Sequence, residues 1–203
     1  MKNKKFSTRV LAEMALFTAI AFALDVLQSG LFRGIWTNGG SVGIAMVPIF
    51  ILCYKRGFLP GLISGFALSF LQMLGGVYAI ADTWYNVLLQ ISLDYILAYP
   101  VISVAGLLAK QYQNAETTKK KMIFLNIGIA IGGLLKFLCH YLAGVIFWAS
   151  SCPEDFLGGP AVYSLVYNGS FMIINIILAC VIMSLISCKY PQLLKEESAN
   201  EEA

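Results

Sequence analysis

The sequence predicts an all-α integral membrane protein, a six-transmembrane-helix bundle with both termini cytoplasmic. Three observations predict it. The chain of 203 residues is 59% hydrophobic and only 12% charged, where soluble domains carry roughly 25% charged residues. Its mean hydropathy is +0.76, and six apolar segments stand out at 10–28, 42–54, 57–74, 85–109, 122–149 and 160–187. About 20 apolar residues are enough for a helix to cross a bilayer. Finally, lysine and arginine gather on one side of the six-span layout, as cytoplasmic loops require.

The first segment follows a basic stretch, Met1–Arg9, and contains Ala21-Phe22-Ala23, which resembles a signal-peptidase site. Its apolar run is long enough to span, and five more segments follow, so an uncleaved first helix is expected. Ala15, Ala19 and Ala23 repeat every four residues along it, a small-residue row that permits close approach of another helix. The row serves either internal packing or a partner subunit. The second segment is short. Asn38-Gly39-Gly40-Ser41 separates it from the first, Lys55-Arg56-Gly57 from the third, and Gly75-Gly76 closes the third. The fourth runs inward from about Tyr85, and the lysine-rich loop after it reads as a solvated cytoplasmic turn. Cys152-Pro153-Glu154-Asp155 and Gly158-Gly159-Pro160 separate the fifth segment from the sixth. Residues 1–9 thus form a basic cytoplasmic N-terminus, 10–190 one membrane domain with an outward-facing pocket, and 191–203 a polar, frayed cytoplasmic tail.

Lys2, Lys4, Lys5, Arg9, Lys55, Arg56, Lys110, Lys119, Lys120, Lys121, Lys189 and Lys195 share one side of this layout. The other side carries Arg33 with Asp82, Glu154 and Asp155, a weakly acidic face that favours approach of a cation. Several functions are excluded. No GxxxxGK[ST] segment is present, so the chain is not expected to hydrolyse ATP. Five cysteines without paired spacing and a single histidine argue against a disulfide framework or a metal site. No nucleic-acid partner and no cofactor are expected.

The most informative stretch runs from Leu138 to Trp148. Lys136, His140, Gly144 and Trp148 recur every four residues and form one helical stripe. Asp25, Asp94, Lys136 and His140 all lie within apolar segments. At 1.5 Å per residue, Asp94 and His140 reach roughly 14 and 15 Å below the outer face, and Tyr163 and Asn168 roughly 5 and 12 Å. One carboxylate, one imidazole, an amide, phenols and an indole would then share an outward-facing pocket suited to a cationic heterocycle. Taken singly each has a plainer role: His140 in packing, Trp148 in an interfacial belt, Tyr163 and Asn168 as links between helices. Lys136 lies too deep to reach bulk water, so a carboxylate partner, Asp94 or Asp25, is expected. Asp25 itself stands near the outer end of its helix, within reach of the interface.

From Arg9 to Pro191 the chain resembles the thiamine-specific substrate-binding subunits of energy-coupling-factor transporters. The resemblance is carried by Asn38-Gly39-Gly40-Ser41-Val42 with Pro48, Lys55-Arg56-Gly57, Leu93-Asp94-Tyr95, Leu138 to Trp148 and Tyr163 to Ser170. It implies six helices in a bacterial cytoplasmic membrane and a thiamine site near the outer face. It also implies no chemistry on the ligand, and transport through a transmembrane coupling subunit with two cytoplasmic ATPases. By the same resemblance the ligand residues are Asp94, Tyr95, His140, Gly144, Trp148, Tyr163 and Asn168, and the partner-docking row is Ala15, Ala19 and Ala23. Trp36, Trp84 and Tyr85 align less cleanly, and Asp94 stands where some members carry glutamate. The alternatives are a subunit for another vitamin or for a thiamine precursor or phosphate, for which Lys136 is the argument, and a self-sufficient secondary transporter. An intramembrane enzyme lacks a nucleophile–base pair.

Overall fold

The computed structural model describes residues 6–32 and 34–196. Lys2, Lys4, Lys5 and Arg33, used above for orientation, lie outside the described residues, as does the tail from 197. The described residues are helical with no strand. The elements are α1 (Thr8–Phe32), α2 (Met46–Arg56), α3 (Phe58–Leu74), α4 (Trp84–Ile91), α5 (Ala109–Gln113), α6 (Thr118–Ile146) and α7 (Gly159–Lys189). A π-helical turn, Ser92–Ile96, and a 3-10 helix, Pro100–Leu108, join α4 to α5.

Among the described residues α1, α6 and α7 are each long and apolar enough to cross a membrane. The segment from Trp84 to Gln113 does so only as a pair bent by 41°. Leu16 and Ile20 on α1, Ile123, Ile127, Ile131, Leu134 and Leu138 on α6, and Ile173, Ile177, Val181 and Leu185 on α7 are exposed. Their spacing of three or four residues makes continuous apolar stripes on the outside of the bundle, the surface of a multi-pass membrane protein.

The second predicted span is different in kind. Its helix has 11 residues, a rise of about 16 Å against a hydrocarbon layer of ~30 Å. Every residue from Met46 to Lys55 is buried, so α2 is a central post rather than a lipid-facing span. Pro48 falls in its first turn, where the missing N–H costs no helical bond. The Tyr54 hydroxyl bonds the carbonyls of Phe124 and Leu125 on α6 at 2.9 and 2.8 Å. At the far end, Arg56 donates to both oxygens of Glu13 at 2.6 and 3.0 Å, and Lys55 lies 3.1 Å from the same carboxylate. Glu13, unremarked in the sequence, thus ties α1 to α2.

The fourth predicted span, read as one helix over 85–109, is broken. Pro100 has no N–H for the Ile96 carbonyl, which accepts instead from the Ser69 hydroxyl of α3 at 3.3 Å. Just before it the Leu97 N–H bonds Ser92 O at 2.8 Å, an i to i+5 closure that inserts one extra residue. The 3-10 helix then runs between α3 and α6, and small residues make the space. A Cβ at Gly65 of α3 would come within 2.8 Å of Pro100 Cα, and one at Gly132 of α6 within 2.8 Å of Ile102 O. Such backbone approach is how membrane helices pack without large side chains.

The beginning of the expected tail is also ordered. Pro191–Leu193 forms a 3-10 turn, and Leu194 is fully buried, because Gln113 donates to its carbonyl and its side chain joins the core. Residues 191–194 therefore belong to the bundle. A Gly65→Ala substitution drives a methyl into the Pro100 backbone and is expected to cost about 1–3 kcal/mol, the usual range for overpacking. The check is the thermal midpoint of the purified protein in detergent, with Gly30→Ala, where nothing lies within 4 Å of the new methyl, as control.

Candidate functional site

A cavity of about 310 Å³ opens among α1, α3, the π-turn and the turn that follows it through Tyr99, α6, α7 and the loop before α2. That is the size of a site for one small ligand. Asp94 lies in the π-turn and lines the cavity. Its Oδ1 is 3.4 Å from His140 Nδ1, and its Oδ2 accepts from Trp148 Nε1 at 3.1 Å. The Asp94 and His140 side chains are 16% and 19% exposed, so both are shielded yet reachable from the cavity. Trp148 stands beyond the end of α6 at Ile146. The predicted four-residue stripe is helical through Gly144, and a turn then carries the indole over the carboxylate. The Tyr78 ring packs on that indole, centroids 5.5 Å apart.

The opposite wall is α7. Asn168 donates from Nδ2 to His140 O at 3.3 Å and to Ser164 O and Oγ at 3.1 Å, and Ser164 Oγ donates to Tyr141 O at 2.9 Å. Gly144 lets α6 and α7 meet here, since a Cβ would collide with the Ser164 side chain. Tyr163 lines the cavity and packs on Phe156 and Tyr167. Tyr95 also lines it, and its hydroxyl accepts from the Tyr78 N–H at 3.1 Å. The structure therefore brings Asp94, Tyr95, Lys136, His140, Gly144, Trp148, Tyr163 and Asn168 to one cavity.

Four expectations need correction. Lys136 lines the cavity and is buried, but among the described residues no carboxylate oxygen lies within 4.0 Å of its ammonium. Its Nζ sits 3.3 Å from the centroid of the Tyr99 ring instead, a cation–π contact worth about 2 kcal/mol when desolvated. Asp25 does not reach for the interface. It lines the cavity, where Oδ1 accepts from Tyr99 Oη at 2.9 Å and from Gln28 at 3.4 Å, and Oδ2 from Gln72 at 2.7 Å. Trp84 and Tyr85 are 76% and 51% exposed, pack edge to face on each other, and stand outside the cavity. As the opening residues of α4 they face outward, like an interfacial aromatic pair.

Trp36 is not a wall residue either; it pins a lid. Its Nε1 donates to Ser170 Oγ at 2.8 Å. Tyr167 Oη accepts from Asn38 N and donates to Gly39 O, both at 3.0 Å. Asn175 accepts from Gly43 N at 2.8 Å and donates to Ser41 O at 2.9 Å. Gly40, at φ +105°, has no room for a Cβ against the Phe171 ring. The irregular backbone before α2 is thus satisfied by α7 side chains, the condition for such backbone within a membrane. Ser164, Asn168, Phe171 and Asn175 recur at helical spacing, a periodic signal in the sequence for the unpredicted Asn175. For Gln72 and Tyr99 no local signal exists.

The sequence profile of a family described as "Thiamine transporter protein (Thia_YuaJ)" matches residues 11–195. The chain belongs to the thiamine transporter family. Among its relatives, "Thiamine transporter ThiT" of Bacillus subtilis (strain 168) is 33% identical over 193 residues, 93% of this chain and 95% of that one. The protein of the same name from Lacticaseibacillus paracasei is 28% identical over 194 residues, 91% and 89% of the two chains. A solved structure titled for ThiT from Listeria monocytogenes superposes with a TM-score of 0.74 at 26% identity, covering 92% of this chain and 97% of that one. A thiamine transporter with this lid should loosen when its anchor is cut. Asn175→Ala removes both of its bonds to the loop, and amide hydrogen exchange at Gly43 is expected to speed up about tenfold, one lost bond of ~1 kcal/mol or more.

Proposed function

We propose that this thiamine transporter is the high-affinity substrate-binding subunit of an ATP-driven importer of the energy-coupling-factor type. It sits in a bacterial cytoplasmic membrane as six spans with both termini inside, takes thiamine from the outer face, and delivers it while docked on a coupling subunit with two cytoplasmic ATPases. Broken and short segments count among the six: the bent Trp84–Gln113 pair as one, α3 as another, and α2 as the short buried segment that the bundle itself surrounds. The gathering of lysine and arginine on one side supports the orientation. The sequence has no phosphate-binding loop, which supports an external source of ATP hydrolysis.

One observation carries the ligand assignment: the Asp94 carboxylate held between an imidazole and an indole N–H in the cavity. Thiamine has a permanently charged thiazolium, a flat aminopyrimidine and a hydroxyethyl arm. Asp94 neutralises the cation or accepts from the amino group. The Trp148 ring offers a face for stacking, and a cation on such a face gains about 0.5–2 kcal/mol. His140, Tyr95, Tyr163 and Asn168 supply directional bonds, and Gly144 leaves the room. The lid over the cavity links occupancy to the shape presented elsewhere.

Ala15, Ala19 and Ala23 are exposed on α1. The first two border a groove against α3 lined by Met14, Thr18, Ile63, Ser64, Ala67 and Leu71, which supports a docking role for the row. Asp94→Asn and Trp148→Ala are each expected to weaken thiamine binding more than about tenfold, roughly 1.4 kcal/mol, by calorimetric titration; wild-type affinity in both rejects the site. Trp at Ala15 and Ala19 together is expected to leave that titration unchanged while abolishing thiamine uptake by cells carrying the complete transporter. Unchanged uptake would reject the docking face.

A further inference from the structure

The cavity holds two carboxylates, Asp25 and Asp94, and one ammonium, Lys136. Counted formally, two carboxylates against one ammonium leave one negative charge, the complement of a monovalent cation. That complement depends on where the ammonium rests. Lys136 and His140 are four residues apart on α6, a rise of about 6 Å, and His140 is already beside Asp94. A lysine stem can bridge such a rise. Should it do so, the ammonium would neutralise Asp94 and occupy the seat of a cationic guest.

We propose that Asp25 is a specificity-determining positioning residue of this site, holding Tyr99 and, through the Tyr99 ring, keeping Lys136 away from Asp94. The proposal rests on the assignment of the cavity to thiamine. Asp25 Oδ1 accepts from the Tyr99 hydroxyl at 2.9 Å while Lys136 Nζ sits 3.3 Å from the ring centroid. A phenol that donates to a carboxylate carries more negative charge on its ring face, which strengthens the hold on the ammonium. Gln72 and Gln28 fix the carboxylate from α3 and from within α1. Gln28 Oε1 in turn accepts from Ala45 N at the foot of the lid. Asp25 therefore has three of its roughly four acceptor sites committed to the scaffold, whereas Asp94, among the described residues, is bonded by His140 and Trp148, two residues of the proposed ligand set. One carboxylate positions; the other receives.

The test compares thiamine with its neutral isostere, in which carbon replaces the thiazolium nitrogen, by calorimetric titration of the purified full chain. Asp25→Asn is expected to lower thiamine affinity about tenfold or more and to leave the isostere within about threefold. On a Lys136→Met background the same substitution is expected to change thiamine affinity by less than about threefold, because the ammonium to be restrained is gone. Equal losses for both guests, or an undiminished loss on the Lys136→Met background, would overturn the proposal and make Asp25 structural. If Asp25→Asn does not purify as a monodisperse protein, Tyr99→Phe cuts the link while keeping the ring. It is expected to lower the cation-to-isostere preference, and an unchanged preference overturns the proposal. Failure of the wild type to bind thiamine is a separate result that removes the functional assignment itself and this inference with it.

Discussion

Pro100 cannot donate to the Ile96 carbonyl, and the site is organised around that missing hydrogen bond. An uninterrupted α-helix over 85–109 would keep Asp94, Tyr95 and Tyr99 in a regular 3.6-residue register. The break instead places a π-turn at Asp94 and a 3-10 helix after Tyr99. The orphaned carbonyl is taken up by Ser69, which removes most of the penalty of an exposed backbone acceptor in a low-dielectric interior. The tight approach of Gly65 and Gly132 to the segment that follows then holds the break in place. A local defect in one helix is thereby converted into a fixed geometry shared by three.

The charges are arranged around that geometry by differing degrees of restraint. Glu13 gathers Arg56 and Lys55 at one end of the bundle, where paired charges join α1 to α2. Asp25 is bonded by a tyrosine and two glutamines, neutral partners that hold it without neutralising it. Asp94 has no bond shorter than 3.1 Å, whereas Asp25 and Glu13 each hold a shorter one, of 2.7 and 2.6 Å. Long bonds to reorientable partners are the ones a guest can replace at low cost, since exchange of hydrogen bonds is nearly balanced when no donor is left unsatisfied. The buried ammonium rests on the Tyr99 face and, among the described residues, has no carboxylate oxygen within 4.0 Å.

The sequence made a helical membrane bundle legible, along with the stripe of Lys136, His140 and Gly144, because a 3.6-residue period is visible in one dimension and unusual residues marked it. Depth counting brought Asp94 and His140 to one level, and they are neighbours. Trp148 reached the cavity by a different route from the one expected, past the end of its helix. What stayed hidden depended on contacts distant in sequence. Whether a proline kinks a span or ends one is decided by whether another helix supplies a donor, here Ser69. The length of α2 is set by burial on all sides, which its apolar composition shares with any span. Asp25 looked interfacial by position, and only Tyr99 and Gln72, 74 and 47 residues away, show its place. The exposed pair Trp84 and Tyr85 shows the converse: aromatic residues close in sequence to a site need not face it.

The same logic accounts for the lid. The chain from Trp36 to Ala45 has few neighbours of its own to bond, and among the described residues its polar groups are met by Tyr167, Ser170 and Asn175 on α7 and Gln28 on α1. On α7 these anchors are interleaved with Tyr163, Ser164 and Asn168, which face the cavity. A guest that draws Asn168 or Tyr163 toward itself acts on the helix that holds the lid. On α1 the anchor Gln28 is three residues from Asp25, so the lid and the charge scaffold share that support as well. A small ligand has little surface with which to move a helix bundle, and differential contact is its only means of shifting a conformational equilibrium. Placing lid anchors and cavity walls on the same two helices lets a few such contacts act on both at once.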